Sequence, residues 1–193
     1  MTEAHLLSTI RATFMQTPAL QAFCGFPDDV MPQPVQRHYI GAEDGFLSDH
    51  TLGSAPLVSA IRDFAPKAHW RETYKGTDIG DEFLNRFCCF NLIGAGGPFL
   101  SKQLWAWMVY MPAHLHYPWH HHPGEEMYLV LSGQARFFRE GETPEILQSG
   151  ACSAHASNQP HAMETEDHSV LALVVWRNGF DTPPQLTKRV VHA

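Results

Sequence analysis

Two hydrophobic rhythms divide this chain of 193 residues. From Thr2 to Cys24 the apolar positions Leu6, Leu7, Ile10, Phe14, Leu20 and Phe23 recur at the spacing of about 3.6 residues that marks an amphipathic helix, with Thr2 placed to cap it and Gly25 to stop it. Similar helical stretches run over 57–64 and 81–92. Between them, residues 26–54 hold Pro27, Pro32 and Pro34 among glycines and aspartates, and read as a long loop of the kind that often closes over a site. After Gly94-Ala95-Gly96-Gly97-Pro98 the rhythm changes. Short apolar runs at 104–111, 126–131, 134–139, 145–147, 162–164 and 170–176 alternate with turn residues, the pattern of an antiparallel barrel. The expected fold is mainly β: a helical N-terminal region over 1–98, then a single antiparallel β-barrel of jelly-roll type over 99–193.

Charge and composition narrow the function. A net charge of -7, with 13 Lys and Arg scattered along the chain, leaves no basic stripe to neutralise phosphates, which argues against nucleic acid as a partner. No segment approaches the ~20 apolar residues of a membrane-spanning helix, and Glu3, His5 and Arg11 interrupt any apolar signal segment, so the expected location is the cytoplasm. The four cysteines, Cys24, Cys88, Cys89 and Cys152, lack metal-ribbon or redox spacing and read as reduced thiols, with Cys88 and Cys89 packing as small apolar residues on a helix. The glycine-rich connector at 94–98 has no Lys-Ser/Thr after it and is not a phosphate loop.

Chemistry concentrates at 116–133. His120, His122 and Glu126 stand at His-x-His-x3-Glu spacing. Alternation along a strand points His120 and His122 to one face and His121 to the other, so two imidazoles converge. Pro123-Gly124 forms a bend, after which Glu126 and Tyr128 share a face; alternation admits only one of Glu125 and Glu126, and the spacing from His122 favours Glu126. A third nitrogen ligand, His161, is expected where Pro160-His161 begins a returning strand. Histidines and a carboxylate suit one divalent metal ion: Zn, Fe(II) or Mn. His5, His50, His69, His155, His168 and His192 read as surface or hydrogen-bonded residues. Tyr128, read alone, is core packing. The direction of Tyr117 is open, because Pro118 interrupts its strand.

Glu126-x6-Gly133, followed by Gly150, Pro160 and His161, resembles the two sequence motifs of the cupin superfamily, although the usual second glycine and later asparagine of the second motif are not at their customary places. The set Tyr117, His120, His122, Glu126, Tyr128 and His161, in a chain of this length with a helical start, resembles the small bacterial dimethylsulfoniopropionate lyases of the DddQ type. That resemblance implies a single cupin barrel behind an α-helical extension. It implies that His122, Glu126 and His161 are metal ligands, that Tyr128 is ligand and base, and that Tyr117 and His120 lie beside the substrate. Cupin spacing alone makes His120 a ligand as well, and both readings stay open. The implied reaction is β-elimination of dimethyl sulfide from dimethylsulfoniopropionate, leaving acrylate, with Trp176 and Tyr39 as aromatic faces for the sulfonium. Two other readings are an Fe(II) dioxygenase on the same ligands, and a non-catalytic small-molecule-binding cupin, which would need an output element that no basic segment here supplies. Monomer and homodimer are equally compatible with the sequence.

Overall fold

The computed structural model describes residues 2–188. Its helices are α1 (Glu3–Gln16), α2 (Pro18–Phe23), α3 (Glu43–Ser48), α4 (Pro56–Phe64) and α5 (Asp81–Arg86). The strands are β1 (Met31–Pro32), β2 (Cys88–Ile93), β3 (Phe99–Leu100), β4 (Trp105–Met111), β5 (Leu115–His121), β6 (Glu125–Arg139), β7 (Glu145–Gln148), β8 (Cys152–His155), β9 (His161–Thr165), β10 (Val170–Arg177) and β11 (Gln185–Leu186). They follow the order β1-β3-β2-β4-β10-β6-β9-β5-β11, with β7 and β8 also paired to β6. The result is a mainly β barrel of jelly-roll type with helices packed outside it.

Strand alternation builds two cores from one sheet. On β4, Ala106, Met108 and Tyr110 face the helices while Trp107, Val109 and Met111 face the barrel interior. On β10, Leu171, Leu173 and Val175 face outward, and Val170, Ala172, Val174 and Trp176 face inward. Leu6, Ile10, Phe14, Leu20, Val58 and Ile61 complete the outer core from α1, α2 and α4. Each fully buried Leu or Phe there contributes roughly 1.5–3 kcal/mol. Helices of six and nine residues are too short to persist alone, so this sheet face holds α2 and α4 in place.

Several boundaries differ from expectation. Thr2 does cap α1, its hydroxyl accepting from His5 N at 3.4 Å, but Thr17-Pro18 splits the expected helix in two. The helix expected over 81–92 ends at Arg86, and Cys88–Ile93 is strand β2, antiparallel to β4. Cys88 and Cys89 therefore sit on opposite faces of a strand, not on a helix. A strand buried on both faces has no polar alternation, so it reads like a buried helix segment. Through β1 and β2 the barrel sheet also draws on residues before 98. The expected loop over 26–54 contains α3 and is docked: Asp29 accepts from Ser101 Oγ at 2.6 Å, Gln33 Nε2 donates to Gly94 O and Gly97 O, and Glu43 is buried against Arg37 at 2.7 Å. The runs 126–131 and 134–139 are one bent strand, β6. Gly133 makes the bend at φ 73°, where a Cβ would lie 1.8 Å from Ser169 O.

Candidate metal centre

Register brings the site together. Across β4, β10, β6 and β8 one row reads Trp105, Trp176, Glu126 and His155, and the row beside it reads Trp107, Val174, Tyr128 and Ser153. Further along the strand order, His120 on β5 is the register partner of His161 on β9. A register shift between Tyr117 and His120 lets both turn inward although they are three apart, and His121 points away to Thr187 Oγ1 at 2.8 Å.

One ring nitrogen from each of the buried residues His120, His122 and His161 lies within 4.8 Å of the others. The opposite nitrogens are fixed by backbone carbonyls: His120 Nδ1 on Pro118 O at 2.8 Å, His122 Nδ1 on Gly124 O at 2.9 Å, and His161 Nδ1 on Gln159 O at 2.8 Å. A carbonyl only accepts, so each Nδ1 carries the hydrogen and each Nε2 presents a lone pair. The buried Nε2 atoms of His122 and His161 have no hydrogen-bond partner, although Glu126 Oε2 lies 3.5 and 3.1 Å away. Burial, reinforced by the neighbouring His161, holds His120 well below the ordinary histidine range, in the neutral form a metal requires. Orphaned lone pairs around a buried carboxylate fit a divalent cation, and this cluster could bind one.

Glu126 is held on both oxygens. Trp176 Nε1 donates to Oε1 at 2.6 Å, and His155 Nδ1 donates to Oε2 at 2.7 Å, with His155 Nε2 in turn 3.0 Å from Ser153 Oγ. Burial pushes the carboxyl up, but the imidazoles gathered around it, with His155 donating to Oε2, more than offset it and leave Glu126 ionised well below its usual range. Burial also lowers His155 to about 4. Glu126, His155 and His161 form a second cluster with metal-ligand spacing. Tyr128 lies on the same face as Glu126, edge-on to Phe137, and no hydrogen bond engages its hydroxyl among the described residues. Burial first, then the negative charge of Glu126, raises this phenol well above 10.

His120, His122, Glu126 and Tyr128 line a cavity of about 160 Å³ together with Arg71, Trp105, Trp107, Trp176 and Phe180. One water needs only ~10–15 Å³, so the space suits a small organic molecule. Tyr117 stacks on His120 at 4.0 Å, and its hydroxyl is 2.7 Å from that of buried Tyr74. Trp176 stacks on His122 at 4.0 Å. Tyr39 is placed apart: it is exposed, its hydroxyl donates to Asp44 at 2.9 Å, the Arg37 guanidinium lies over its ring, and it lines a neighbouring depression. The segment 26–54 contributes nothing to the lining of the histidine cavity, where Phe180, Asp181 and Pro184 stand instead. Sequence reasoning missed His155, Tyr74 and Arg71. The signal available for His155 was the alternation of Ser153, Ala154 and His155 between Gly150 and Pro160; Tyr74 and Arg71 carried none.

A family model described as dimethylsulfoniopropionate lyase matches residues 31–172. The dimethylsulfoniopropionate lyase DddQ of Ruegeria pomeroyi DSS-3 is 43% identical over 187 residues, spanning 95% of this chain and 92% of the relative. The crystal structure of DMSP lyase DddQ from that organism matches with a TM-score of 0.92 at 41% identity, over 96% of this chain and 95% of the other. A second, from the crystal structures of the DMSP lyases RdDddP and RnDddQII, matches with a TM-score of 0.91 at 34% identity, over 96% and 97%. Both likenesses run from the outer helices through the barrel, so they cover the histidine cluster and the wall around it: the chain belongs to the dimethylsulfoniopropionate lyase family.

Proposed function

We propose that this protein cleaves dimethylsulfoniopropionate to dimethyl sulfide and acrylate, using one divalent cation held by His122, His161 and Glu126, with His120 as a further ligand. The observation that carries this reading is the set of Nε2 lone pairs, each fixed by an Nδ1 hydrogen bond, gathered around an ionised carboxylate in a cavity shared with Tyr128. It is supported by membership of the lyase family. Zn, Fe(II) and Mn all accept such ligands.

The chemistry is a β-elimination. When bound, the cation supplies Lewis acidity that withdraws charge from the substrate carboxylate and favours the phenolate of Tyr128 over the phenol. Tyr128 takes the α-proton, the electron pair left on carbon forms the new double bond, and the carbon–sulfur bond breaks to release neutral dimethyl sulfide. Tyr117, tied to Tyr74, backs the ring of His120. Trp176 stands at the wall with its indole N–H committed to Glu126, offering aromatic surface to the sulfonium together with Trp105. None of the described helices is long and apolar enough to cross a membrane, and all four cysteines are free thiols, which fits a protein of the cytoplasm. The test is headspace detection of dimethyl sulfide from purified protein loaded with each metal in turn, with oxygen uptake followed in parallel. Dimethyl sulfide without oxygen consumption is expected; oxygen consumption without dimethyl sulfide would move the protein to oxygenase chemistry.

A further inference from the structure

Arg71 is the one lysine or arginine in the lining of the histidine cavity. Its place follows from alternation beside β2. Its backbone N–H donates to Cys89 O at 2.9 Å, and the preceding Trp70 bridges Phe90 and is fully buried in the outer core. The side chain of Arg71 is thereby sent to the opposite, cavity side. There Nη1 donates to Asn91 Oδ1 at 3.1 Å, the amide of Asn91 being oriented by its own donation to Ala95 O at 2.6 Å. The guanidinium lies over the ring of Trp107 at 5.5 Å. A guanidinium has five N–H donors in a planar fork, and the bond to Asn91 is the one side-chain hydrogen bond it makes among the described residues. Arg37, Arg86, Arg136, Arg139 and Arg177 each meet a carboxylate, whereas Arg71 faces the cavity with donors unspent.

We propose that Arg71 binds the carboxylate of the substrate and so fixes which way round the zwitterion lies in the cavity. This deepens the proposed function and rests on it. The substrate carries a carboxylate and a sulfonium three bonds apart. A sulfonium is repelled by a guanidinium, so the arginine rejects the reversed pose as well as favouring the correct one. Two residues along β4 from Trp107, roughly 7 Å away, Trp105 stacks on Phe180, and the carboxylate of Asp181 lines the same cavity. Aromatic faces and an acid at that position receive the cationic end. The carboxylate then lies with positive charge on the Arg71 side, which also withdraws electron density from the carbon that loses its proton. Arg71 is a specificity-determining residue; its role is in binding and orientation.

The experiment uses the metal-loaded full chain and the variants Arg71→Met and Arg71→Lys. Two inhibitors separate the charges: 3-(methylthio)propanoate, which keeps the carboxylate without the cation, and ethyldimethylsulfonium, which keeps the cation without the carboxylate. In Arg71→Met, KM for dimethylsulfoniopropionate and the inhibition constant of 3-(methylthio)propanoate are expected to rise at least tenfold, while ethyldimethylsulfonium is expected to bind as well as before or better. Arg71→Lys keeps the charge and is expected to recover part of the loss. Unchanged inhibition by the carboxylate probe would overturn the proposal, and so would equal weakening of both probes, which would mark a collapsed cavity. If the wild type releases no dimethyl sulfide, the proposed function fails on its own account. Calorimetric binding of 3-(methylthio)propanoate to wild type and Arg71→Met then still decides the role of Arg71.

Discussion

Replacing Trp176 with Phe tests whether a hydrogen bond behind the ligands controls the metal centre. The indole N–H donates to Glu126 Oε1 at 2.6 Å, with both side chains buried. Phe preserves an aromatic ring against His122, where the Trp176 ring stacks at 4.0 Å, but it has no donor. A hydrogen bond to a charged group contributes about 1.5–3 kcal/mol. Its loss leaves one oxygen of a buried carboxylate unsatisfied, while His155 still serves the other at 2.7 Å. At about 2–4 °C per kcal/mol for a chain of this size, the metal-free variant is expected to melt roughly 3–12 °C lower. The orientation of Glu126 matters more. Partners that orient a metal ligand typically contribute about 10–100-fold in affinity, so a chelator competition with Zn should show metal binding weakened by that factor. Circular dichroism should report an intact fold. A Trp176→Phe protein with wild-type metal affinity would refute the reasoning, because the indole would then be packing and nothing more.

Three further outcomes follow from the geometry. Tyr128→Phe keeps the edge-on contact with Phe137 at 5.5 Å and is expected to retain metal while dimethyl sulfide release falls by about 10²–10⁴-fold, the usual range for a lost general base; near wild-type release would make Tyr128 structural. Gly133→Ala places a Cβ 1.8 Å from Ser169 O at a φ of 73°, combining a left-handed backbone costing about 1–2 kcal/mol with a displaced β10, so a loss of at least about 3 kcal/mol is expected in denaturant titration. In metal-free protein, the folded His155 titrates at about 4 against an ordinary 6.5 because burial favours the neutral ring. The unfolded chain therefore binds more protons between those values, and stability should fall as pH drops from about 6.5 to 4, by roughly 3 kcal/mol for this group alone. Glu126, held ionised below its usual range, adds a loss in the same direction at lower pH. A melting temperature flat from pH 7 to 4.5 would contradict the buried neutral histidine.

The part of the site that lies close together in the chain was legible. Period-two alternation sufficed to turn His120 and His122 one way and His121 the other, and to put Glu126 and Tyr128 on one face. What was not legible depends on register between distant strands. His155 meets Glu126 because β8 pairs with β6 in that alignment; the local alternation of Ser153, Ala154 and His155 can mark a short strand but not the partner it meets. Trp176 was expected as a cation-binding face, yet its row position opposite Glu126 makes it a hydrogen-bond donor as well. Strand β2 escaped notice because Cys88–Ile93 is buried throughout, which erases the alternation that identifies half-exposed strands. The docked segment over 26–54 read as a loop because prolines, glycines and aspartates punctuate it, while what holds it is side-chain hydrogen bonding to residues 94–102, invisible to local pattern.

The central claim, that His122, Glu126 and His161 hold a metal ion on which dimethyl sulfide release depends, is tested most directly by one titration. Wild type and the variants His122→Ala, Glu126→Ala and His161→Ala are stripped with chelator, reloaded with a single divalent ion, and assayed for bound metal and headspace dimethyl sulfide in the same samples. Release from the wild type should disappear on stripping and return in proportion to bound metal, and each variant should lose both metal and activity while remaining folded. Full release by the stripped wild type, or full metal occupancy in any two of the variants, would contradict it.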